Sequence, residues 1–363
     1  MAETIPETID DVVPQPLPPP KSRRRVIWGW VIKFALLIAI FIWLFKTDQL
    51  TTEGLHELTQ RWDLALLAMS MAIPALLICS LRYKLLLRAL NIDAHFRDIV
   101  SMSMIGMLFD LISPVSNGGD LVKAVYISKA TSLPDRKSNF GIVLFSVLLD
   151  RIIGLFALFT FGLIVSAVAW PQVSGDEKLR KMAVIGMIVC VVSLLGFFVL
   201  VSEKLEGSAL RRRLMHAIPF HEKIEGIYAG FAGLRHHKRI LAATLGLSIL
   251  NHICSCTAVL ILSQTMTFKS VITGAAAPLE FLPCLTVLPL GLFATVLGPA
   301  GGLGVGNAVF ENLFRNVLGL KGGGDLILKF QICGILFRLA GVPVMLFYKH
   351  KGANLETAPN VVA

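Results

Sequence analysis

Charged residues are scarce in this sequence. They make up 16% of the 363 residues, while hydrophobic residues make up 55%, and soluble domains usually carry about 25% charged residues. The chain therefore has too little polar surface to cover a soluble globule. Several stretches of about twenty residues are almost free of charge, long enough to cross a hydrocarbon core roughly 30 Å thick. Because these apolar runs are continuous rather than alternating, they predict membrane-spanning helices and exclude a β-barrel.

The sequence also lacks motifs for nucleic acid, metal or disulfides. The net charge is +10, but no nucleic-acid-binding module accompanies it, and basic loops at the cytoplasmic membrane surface account for it better. The six cysteines all lie in apolar runs. Cys254 and Cys256 are the one close pair, and no second pair gives them a zinc-like spacing. We therefore expect buried free thiols and no metal or other cofactor.

The N-terminal segment has no apolar core, and we do not expect it to be a signal peptide. Residues 1–20 are acidic and then proline-rich, so we expect a disordered cytoplasmic tail. A cleavable signal peptide would need a basic start followed quickly by an apolar run. The sequence accordingly predicts a proline-rich tail with a basic anchor (1–25), a transmembrane domain (26–350) and a C-terminal cytoplasmic tail (351–363).

Six segments are apolar enough to be complete spans. They cover approximately residues 26–45, 62–81, 139–170, 182–201, 240–263 and 326–348. The many basic residues between the fourth and fifth spans place that loop in the cytoplasm, because Lys and Arg favour this side. Parity then puts the end of the second span, with Arg82, Lys84 and Arg88, in the cytoplasm. Both termini are cytoplasmic in this topology, and we expect a multi-pass protein of the plasma membrane, a bacterial inner membrane in particular.

Two further apolar regions, 98–130 and 279–320, are interrupted by Gly and Pro. Each starts and ends on one side of the membrane, so each is predicted to be a re-entrant hairpin or a pair of short helices. The Leu-Phe pair at 108 and the Gly-Gly pair at 118 recur 184 and 183 residues later. Either this likeness is chance, or the two regions form an inverted repeat, whose broken helices mark a transport site near the midplane. The predicted fold class is an all-α polytopic membrane protein with six spans and two re-entrant elements.

The first interruption contains Gly118 and Gly119, followed by Asp120 and Lys123. One interpretation is a local ion pair between these last two residues at the start of the returning helix. The other is that Lys123 and the free amides of the helix N-terminus bind an anionic headgroup.

The second interruption is richer in glycine. Gly301, Gly302 and Gly304 leave the backbone bare, which permits either tight helix packing or direct contact with a ligand. No preceding strand or following Lys-Ser/Thr supports a nucleotide-binding loop. Asn307 and Glu311 follow, and Glu311 is spaced to pair with the arginine four residues later.

Charged residues also occur inside the predicted spans. Asp150 and Arg151 lie about 17 Å into the third span at 1.5 Å per residue, and Arg338 lies similarly deep in the last span. Such charges are costly in a bilayer and functional by default. Either Asp150 and Arg338 form a structural salt bridge, or both arginines bind one lipid phosphate while Asp150 holds a guanidinium in the empty site. We expect Lys329 to snorkel to its span end and His252 to make an interhelical hydrogen bond.

These motifs occur together in one known family. The pattern combines Gly119-Asp120-Leu-Val-Lys123, Leu149-Asp150-Arg151, the glycine stretch at 298–306 and the late Arg338. In this combination the chain resembles the lysylphosphatidylglycerol synthase transmembrane-region family, the flippase-like domain proteins, over about residues 25–350. Family members commonly carry an acidic residue just after the glycine stretch, where this chain has Asn307. A role for that carboxylate is therefore not carried over.

The resemblance implies movement of lipid between leaflets. In the synthases this region is fused to a soluble domain that aminoacylates phosphatidylglycerol, and the longest soluble loop here, about 38 residues, has no room for such a domain. We therefore expect a flippase- or scramblase-like translocase rather than an enzyme. Its cargo would be a phospholipid or a polyprenyl-phosphate-linked sugar, held by Arg151, Arg338 and Lys123.

Two other function classes stay open. A membrane scaffold for a separate lipid-modifying enzyme, such as a glycosyltransferase, would not need arginines inside its spans. An intramembrane enzyme acting on lipid phosphate would need a nucleophile or metal cluster with suitable spacing, and the sequence offers none that is convincing.

Overall fold

The structure of the protein is a computed structural model, which describes residues 58–111, 118–130, 136–175, 177–201, 237–297 and 305–348. The predicted first span, both predicted tails, the long basic loop and the glycines at 301, 302 and 304 lie outside these ranges. Within them the chain folds almost entirely into α-helices, which confirms the predicted all-α polytopic class.

The first half of the described chain contains seven helices. They are α1 (Trp62–Ser70), α2 (Ala72–Ala89), α3 (Phe96–Asp110), α4 (Gly118–Ala130), α5 (Arg136–Val168), α6 (Trp170–Val173) and α7 (Glu177–Val201). The second half contains five helices, a π-helical turn and three short strands. They are α8 (Lys238–Ser263), β1 (Phe268–Ser270), β2 (Ala276–Ala277), α9 (Phe281–Leu297), α10 (Val305–Leu313), the π-helical turn (Phe314–Leu318), β3 (Leu320–Lys321), α11 (Gly323–Leu339) and α12 (Gly341–Phe347). The strands form one antiparallel sheet in the order β2-β1-β3.

Four helical segments of the described chain are long and apolar enough to cross a membrane. They are Trp62–Ala89, Ile142–Val168, Lys238–Ser263 and Gly323–Phe347. Each overlaps one of the predicted spans. The first joins α1 to α2 and the last joins α11 to α12, each with a one-residue interruption. The span predicted at 182–201 lies within α7, where the described apolar stretch is Ala183–Val192. The total number of crossings stays a prediction.

Both glycine-interrupted regions form pairs of packed helices. Helix α3 packs against α4, and α9 packs against α10. With 15 and 13 residues, α3 and α4 are about 22 and 20 Å long at 1.5 Å per residue, too short for either to cross a core of about 30 Å alone. The shared form is compatible with an inverted repeat, which stays an interpretation.

Glycine permits the close packing of each pair. A Cβ atom on Gly119 would collide with the carbonyl oxygen of Gly106, and one on Gly106 would lie 2.9 Å from the carbonyl oxygen of Gly119. In the second pair, a Cβ atom on Gly291 would lie 2.5 Å from the ring of Phe310. A side chain at these positions would force the paired helices apart.

A core at the junction of α2, α3, α4 and α5 fixes the positions of these helices. It includes the fully buried side chains of Tyr83, Ile99, Ile127 and Val143. The Tyr83 hydroxyl lies 2.8 Å from the Ser146 Oγ atom, so the polar end of this residue is satisfied inside the core. Helix α8 packs against α1, α2 and α5. These contacts hold α2, α5 and α8 around the cavity described next.

Candidate functional site

A cavity of about 1390 Å³ lies among six helices of the described chain. Its walls come from α2, α3, α4, α5, α8 and α11. Most of the lining is apolar, but seven side chains carry charge: Arg82, Asp110, Asp120, Lys123, Asp150, Arg151 and Arg338. Most of these helices belong to the segments that are long and apolar enough to cross a membrane. The four cations and three carboxylates therefore lie at membrane depth.

Three of these charged residues lie at a similar depth in three different spans. Arg82 is seven residues from the end of its span at Ala89, Asp150 is eight residues from Ile142, and Arg338 is nine residues from Phe347. At 1.5 Å per residue these separations correspond to about 10 to 14 Å. In the predicted topology all three span ends face the cytoplasm. This topology therefore predicts that the charged part of the cavity forms a layer on one side of the membrane midplane.

Arg82 and Asp150 form a buried two-point ion pair. The Nε and Nη2 atoms of Arg82 each lie 2.8 Å from a different carboxylate oxygen of Asp150, and Nη1 donates to the Ser248 Oγ atom at 2.8 Å. The two charged side chains are only 8% and 12% exposed. One of the two interpretations of the sequence paired Asp150 with Arg338, and that pair does not form because Arg82 occupies both oxygens of the carboxylate.

The prediction that Arg82 lies at the cytoplasmic end of the second span was also wrong, because the helix continues past it. The predicted second span ended at Leu81 because three basic residues follow within a short stretch. Helix α2 instead continues to Ala89, with Arg82 buried on its inner face. Gly154 helps to make room, since a Cβ atom there would lie 3.3 Å from the Arg82 Nη1 atom.

Arg151 and Asp120 form a second pair, which is more accessible. The Arg151 Nε atom lies 2.6 Å from the Asp120 carboxylate, and the side chains are 40% and 21% exposed. Asp120 lies in the first turn of α4, where a negative charge interacts favourably with the helix dipole. The local Asp120–Lys123 pair considered from the sequence does not form. The Lys123 ammonium instead lies over the Tyr83 ring, 3.7 Å from its centroid.

Asp110 and Arg338 complete the charged lining. Asp110 accepts a hydrogen bond of 2.8 Å from the Gly119 amide, which ties the end of α3 to the start of α4. Arg338 is half-buried, and among the residues that the structure describes it makes no ion pair or hydrogen bond. This arginine is the cation of the cavity that is most available to a ligand.

The register of two helices places Arg338 about one turn from the level of Asp110. The Tyr348 hydroxyl donates to Asp98 at 3.0 Å, and Gly341 approaches Met104 so closely that a Cβ atom would lie 2.6 Å from its carbonyl oxygen. The α11–α12 segment therefore runs antiparallel to α3. Arg338 precedes Gly341 by about one turn, which brings it level with Met107, one turn before α3 ends at Asp110.

The α8 wall of the cavity is polar but neutral. Asn251, His252 and Ser255 line it, together with Cys79 of α2. The Cys79 Sγ atom lies 3.4 Å from Asn251 Oδ1, and Ser255 donates to the Asn251 carbonyl at 3.2 Å. His252 Nε2 lies 3.0 Å from the Gly154 carbonyl. This last contact confirms the predicted interhelical hydrogen bond.

The second glycine-rich region does not contribute its described residues to this cavity. Glu311 accepts hydrogen bonds from the amides of Gly322 and Gly324, at 3.2 and 3.1 Å, and lies 3.5 Å from Arg315. Glu311 thus connects α10 to the start of α11, in addition to the pairing expected from its spacing. Asn307 also lies away from the cavity, and its buried Oδ1 atom has no hydrogen-bond partner in the part of the chain that the structure describes.

Among the remaining predicted residues, Gly119 lines the cavity while Gly118 begins α4 without lining it. The snorkelling expected for Lys329 is wrong. Its side chain is 2% exposed and donates to Thr265 Oγ1 at 3.3 Å, near the end of α8. All six cysteines are free; four of them are buried as predicted, whereas Cys79 and Cys254 are partly exposed.

The sequence interpretation missed Arg82 and Asp110 as cavity residues. Each is a single charge with apolar neighbours on both sides, as Leu81 and Tyr83 flank Arg82. That local pattern was the available signal. For Arg82 this signal was weak, because Lys84 and Arg88 follow closely and clustered basic residues usually mark a loop.

The fold and the cavity define a polytopic helical membrane protein with a charged internal cavity at membrane depth. The chain belongs to the family described as the lysylphosphatidylglycerol synthase TM region, whose family model matches residues 30–340. A segment of 101 residues is 29% identical to the UPF0104 membrane protein MJ1595 of Methanocaldococcus jannaschii. This segment covers 28% of the present chain and 30% of that relative.

Proposed function

We propose that this protein moves a phosphate-bearing lipid between the leaflets of the membrane, without changing the lipid chemically. Membership of a family named for the membrane region of a lipid-modifying synthase supports a lipid as the cargo. A phospholipid and a polyprenyl-phosphate-linked sugar both fit this description. The membrane is proposed to be the plasma membrane, with both termini in the cytoplasm.

The observation that carries this proposal is the state of Arg338. An arginine at membrane depth is costly unless its charge is compensated. Arg338 lines a large cavity, yet no described residue pairs with it. A guanidinium offers a planar set of donors that matches phosphate oxygens. A lipid phosphate in the cavity would therefore supply the missing partner.

Two further cations are placed to assist. Lys123 lines the same cavity and rests against a ring rather than a carboxylate. Arg151 is paired with Asp120, but its side chain is 40% exposed, so the pair can open when a phosphate enters. Arg82 is different because its guanidinium is committed to Asp150 and Ser248. We assign Arg82 and Asp150 to the framework of the site.

The apolar walls support entry of the headgroup from the bilayer. Leu121 of α4 and Ile142, Leu144 and Leu148 of α5 line the cavity and are also exposed, by 39% to 52%. The inner surface is thus continuous with the surface that faces lipid. A headgroup can lie among the charged side chains of the cavity while its acyl chains stay in the hydrocarbon. The polar part of the lipid then crosses the membrane in contact with these side chains, so it does not have to enter purely apolar surroundings.

The proposal is tested by reconstitution. The purified protein is placed in vesicles containing phosphatidylglycerol with a fluorescent label on an acyl chain, and movement is followed by quenching from the outer side. We expect protein-dependent movement, a loss of about tenfold or more in Arg338→Ala, and an intermediate rate in Arg338→Lys, because lysine keeps the charge without the planar fork.

The matched control is Arg315→Ala, which removes a 51% exposed arginine outside the cavity and should leave the rate unchanged. Mass spectrometry of the recovered lipid separates transport from catalysis, since a changed lipid would identify an enzyme. The proposal fails if movement equals that in protein-free vesicles, or if Arg338→Ala moves lipid at the normal rate.

A further inference from the structure

We infer that the cavity selects a lipid headgroup with one negative charge, no cationic group, and hydroxyls next to its phosphate. This inference rests on the proposed function, which names only a phosphate-bearing lipid. It follows from the charge balance of the lining and from the chemistry of its neutral wall.

Four of the seven charged lining residues neutralise each other in two pairs. Arg82 and Asp150 form one pair, and Arg151 and Asp120 form another. The charged lining residues that are left are Arg338, Lys123 and Asp110. Two cations and one carboxylate give this remainder a net charge of +1.

A single phosphodiester neutralises that remainder. Its charge of −1, added to that of Asp110, balances Arg338 and Lys123. A zwitterionic headgroup brings no net charge and leaves one cation uncompensated, and an aminoacylated headgroup with a net positive charge leaves two. Because uncompensated charge is strongly disfavoured at membrane depth, the charge of the cavity matches a monoanionic headgroup.

Asp110 is the one group that could attract an ammonium. Its carboxylate already accepts a hydrogen bond from the Gly119 amide at 2.8 Å, and the register of α3 with the α11–α12 segment places it about one turn from Arg338. An ammonium bound there would add a third cation to a group whose anions are the Asp110 carboxylate and the lipid phosphate. The arrangement therefore disfavours a zwitterion even though a carboxylate is present.

The neutral wall indicates hydroxyls. Asn251 accepts from Cys79 through Oδ1, while its amide nitrogen makes no hydrogen bond to any described residue. The Ser255 hydroxyl donates its proton to a backbone carbonyl, so its oxygen can still accept a hydrogen bond. On the α3 side, Ser103 lines the cavity with a buried Oγ atom that has no hydrogen-bond partner among the described residues. Such a mixture of donors and acceptors suits hydroxyl groups, which act as both.

The test compares five lipids that share the same labelled acyl chains. They are phosphatidylglycerol, phosphatidylethanol, phosphatidylethanolamine, phosphatidylcholine and lysylphosphatidylglycerol. The first two carry one negative charge and differ in headgroup hydroxyls, the next two are zwitterionic, and the last has a net positive charge. We expect phosphatidylglycerol to move about tenfold or more faster than the zwitterionic and cationic lipids, and about threefold to tenfold faster than phosphatidylethanol.

Variants separate the two parts of the inference. Asn251→Leu and Ser103→Ala should each lower the ratio of the phosphatidylglycerol rate to the phosphatidylethanol rate towards one. Gln264→Leu changes an exposed residue just after α8 that does not line the cavity, and should keep the wild-type ratio. Size-exclusion chromatography of each variant confirms folding. Asn251→Leu tests the neutral polar wall on α8, and Ser103→Ala tests the neutral polar group on α3.

The outcomes distinguish this inference from the proposed function. If none of the five lipids moves faster than in protein-free vesicles, the translocase proposal itself fails. If all five move at equal rates, translocation stands and the selectivity inference is overturned. A faster rate for a zwitterionic or cationic lipid overturns the charge-balance argument. An unchanged ratio in both Asn251→Leu and Ser103→Ala overturns the assignment of the neutral wall.

Discussion

Replacing Asp150 by asparagine should destabilise the protein much more than neutralising a surface carboxylate would. The substitution leaves Arg82 buried without its counter-ion, since the arginine side chain is only 8% exposed and both of its bonds to the carboxylate are 2.8 Å long. Breaking a buried ion pair from one side typically costs about 3–5 kcal/mol. Ser248 remains bonded to the guanidinium but carries no charge.

A double variant, Arg82→Met with Asp150→Leu, should recover most of that loss. Replacing both members of a buried pair by apolar residues removes the cost of burying charge, and such replacements are often neutral or stabilising. Ser248 would lose its partner, at a cost of about 1 kcal/mol. The double variant should therefore lie within about 2 kcal/mol of the wild type.

The measurement is the free energy of unfolding, obtained by titrating the detergent-solubilised protein with a denaturing detergent. Glu177→Gln is the matched control, because Glu177 pairs with Lys181 at 2.7 Å but both side chains are more than two thirds exposed. Exposed pairs of this kind contribute about 0.3–0.5 kcal/mol. The reasoning is refuted if Asp150→Asn costs no more than Glu177→Gln, or if the double variant is no more stable than Asp150→Asn.

Three further predictions concern the helix pairs and the topology. Gly119→Ala should separate α3 from α4, because its Cβ atom collides with the Gly106 carbonyl oxygen; we expect a loss of about 2 kcal/mol or more, whereas Gly246→Ala, with nothing within 4 Å of its Cβ atom, should be neutral or stabilising in the same titration. Glu311→Ala should cost about 1–3 kcal/mol, since two backbone amides lose their acceptor, and an unchanged stability would show that these bonds contribute little. A reporter fused after Ala363 should be active only in the cytoplasm, and external activity would overturn the predicted topology.

The sequence predicted the helical class, four of the long apolar segments and the two interrupted regions, because continuous apolar runs and Gly/Pro interruptions are local signals. It could not predict the ion pairs. Asp150 and Arg151 are adjacent, yet neighbouring side chains on a helix point about 100° apart. One therefore meets Arg82 of α2 and the other meets Asp120 of α4. Partner choice is a property of helix packing, which a single sequence does not show.

Lys329 illustrates the same limit. It lies six residues into α11, a distance from which a lysine commonly reaches the membrane surface. Its position in the fold turns the side chain inwards, next to Thr265 beyond the end of α8. The sequence contains the length of the side chain and its depth in the helix, but not the identity of the helix that covers it.

The separation of Arg82 from Asp150 has a consequence for biosynthesis. The two residues are 68 positions apart, so at about 5–20 residues per second the helix with Arg82 is made about 3–14 s before its counter-ion. That helix must enter the bilayer with an unpaired arginine, at a cost of at most about 2.5–3.5 kcal/mol. Its segment Trp62–Ala89 contains eleven Leu and Ile residues, which together favour insertion by roughly 3–7 kcal/mol. The leucine-rich composition of α1 and α2 thus allows this segment to stay inserted with its arginine unpaired until α5 is synthesised.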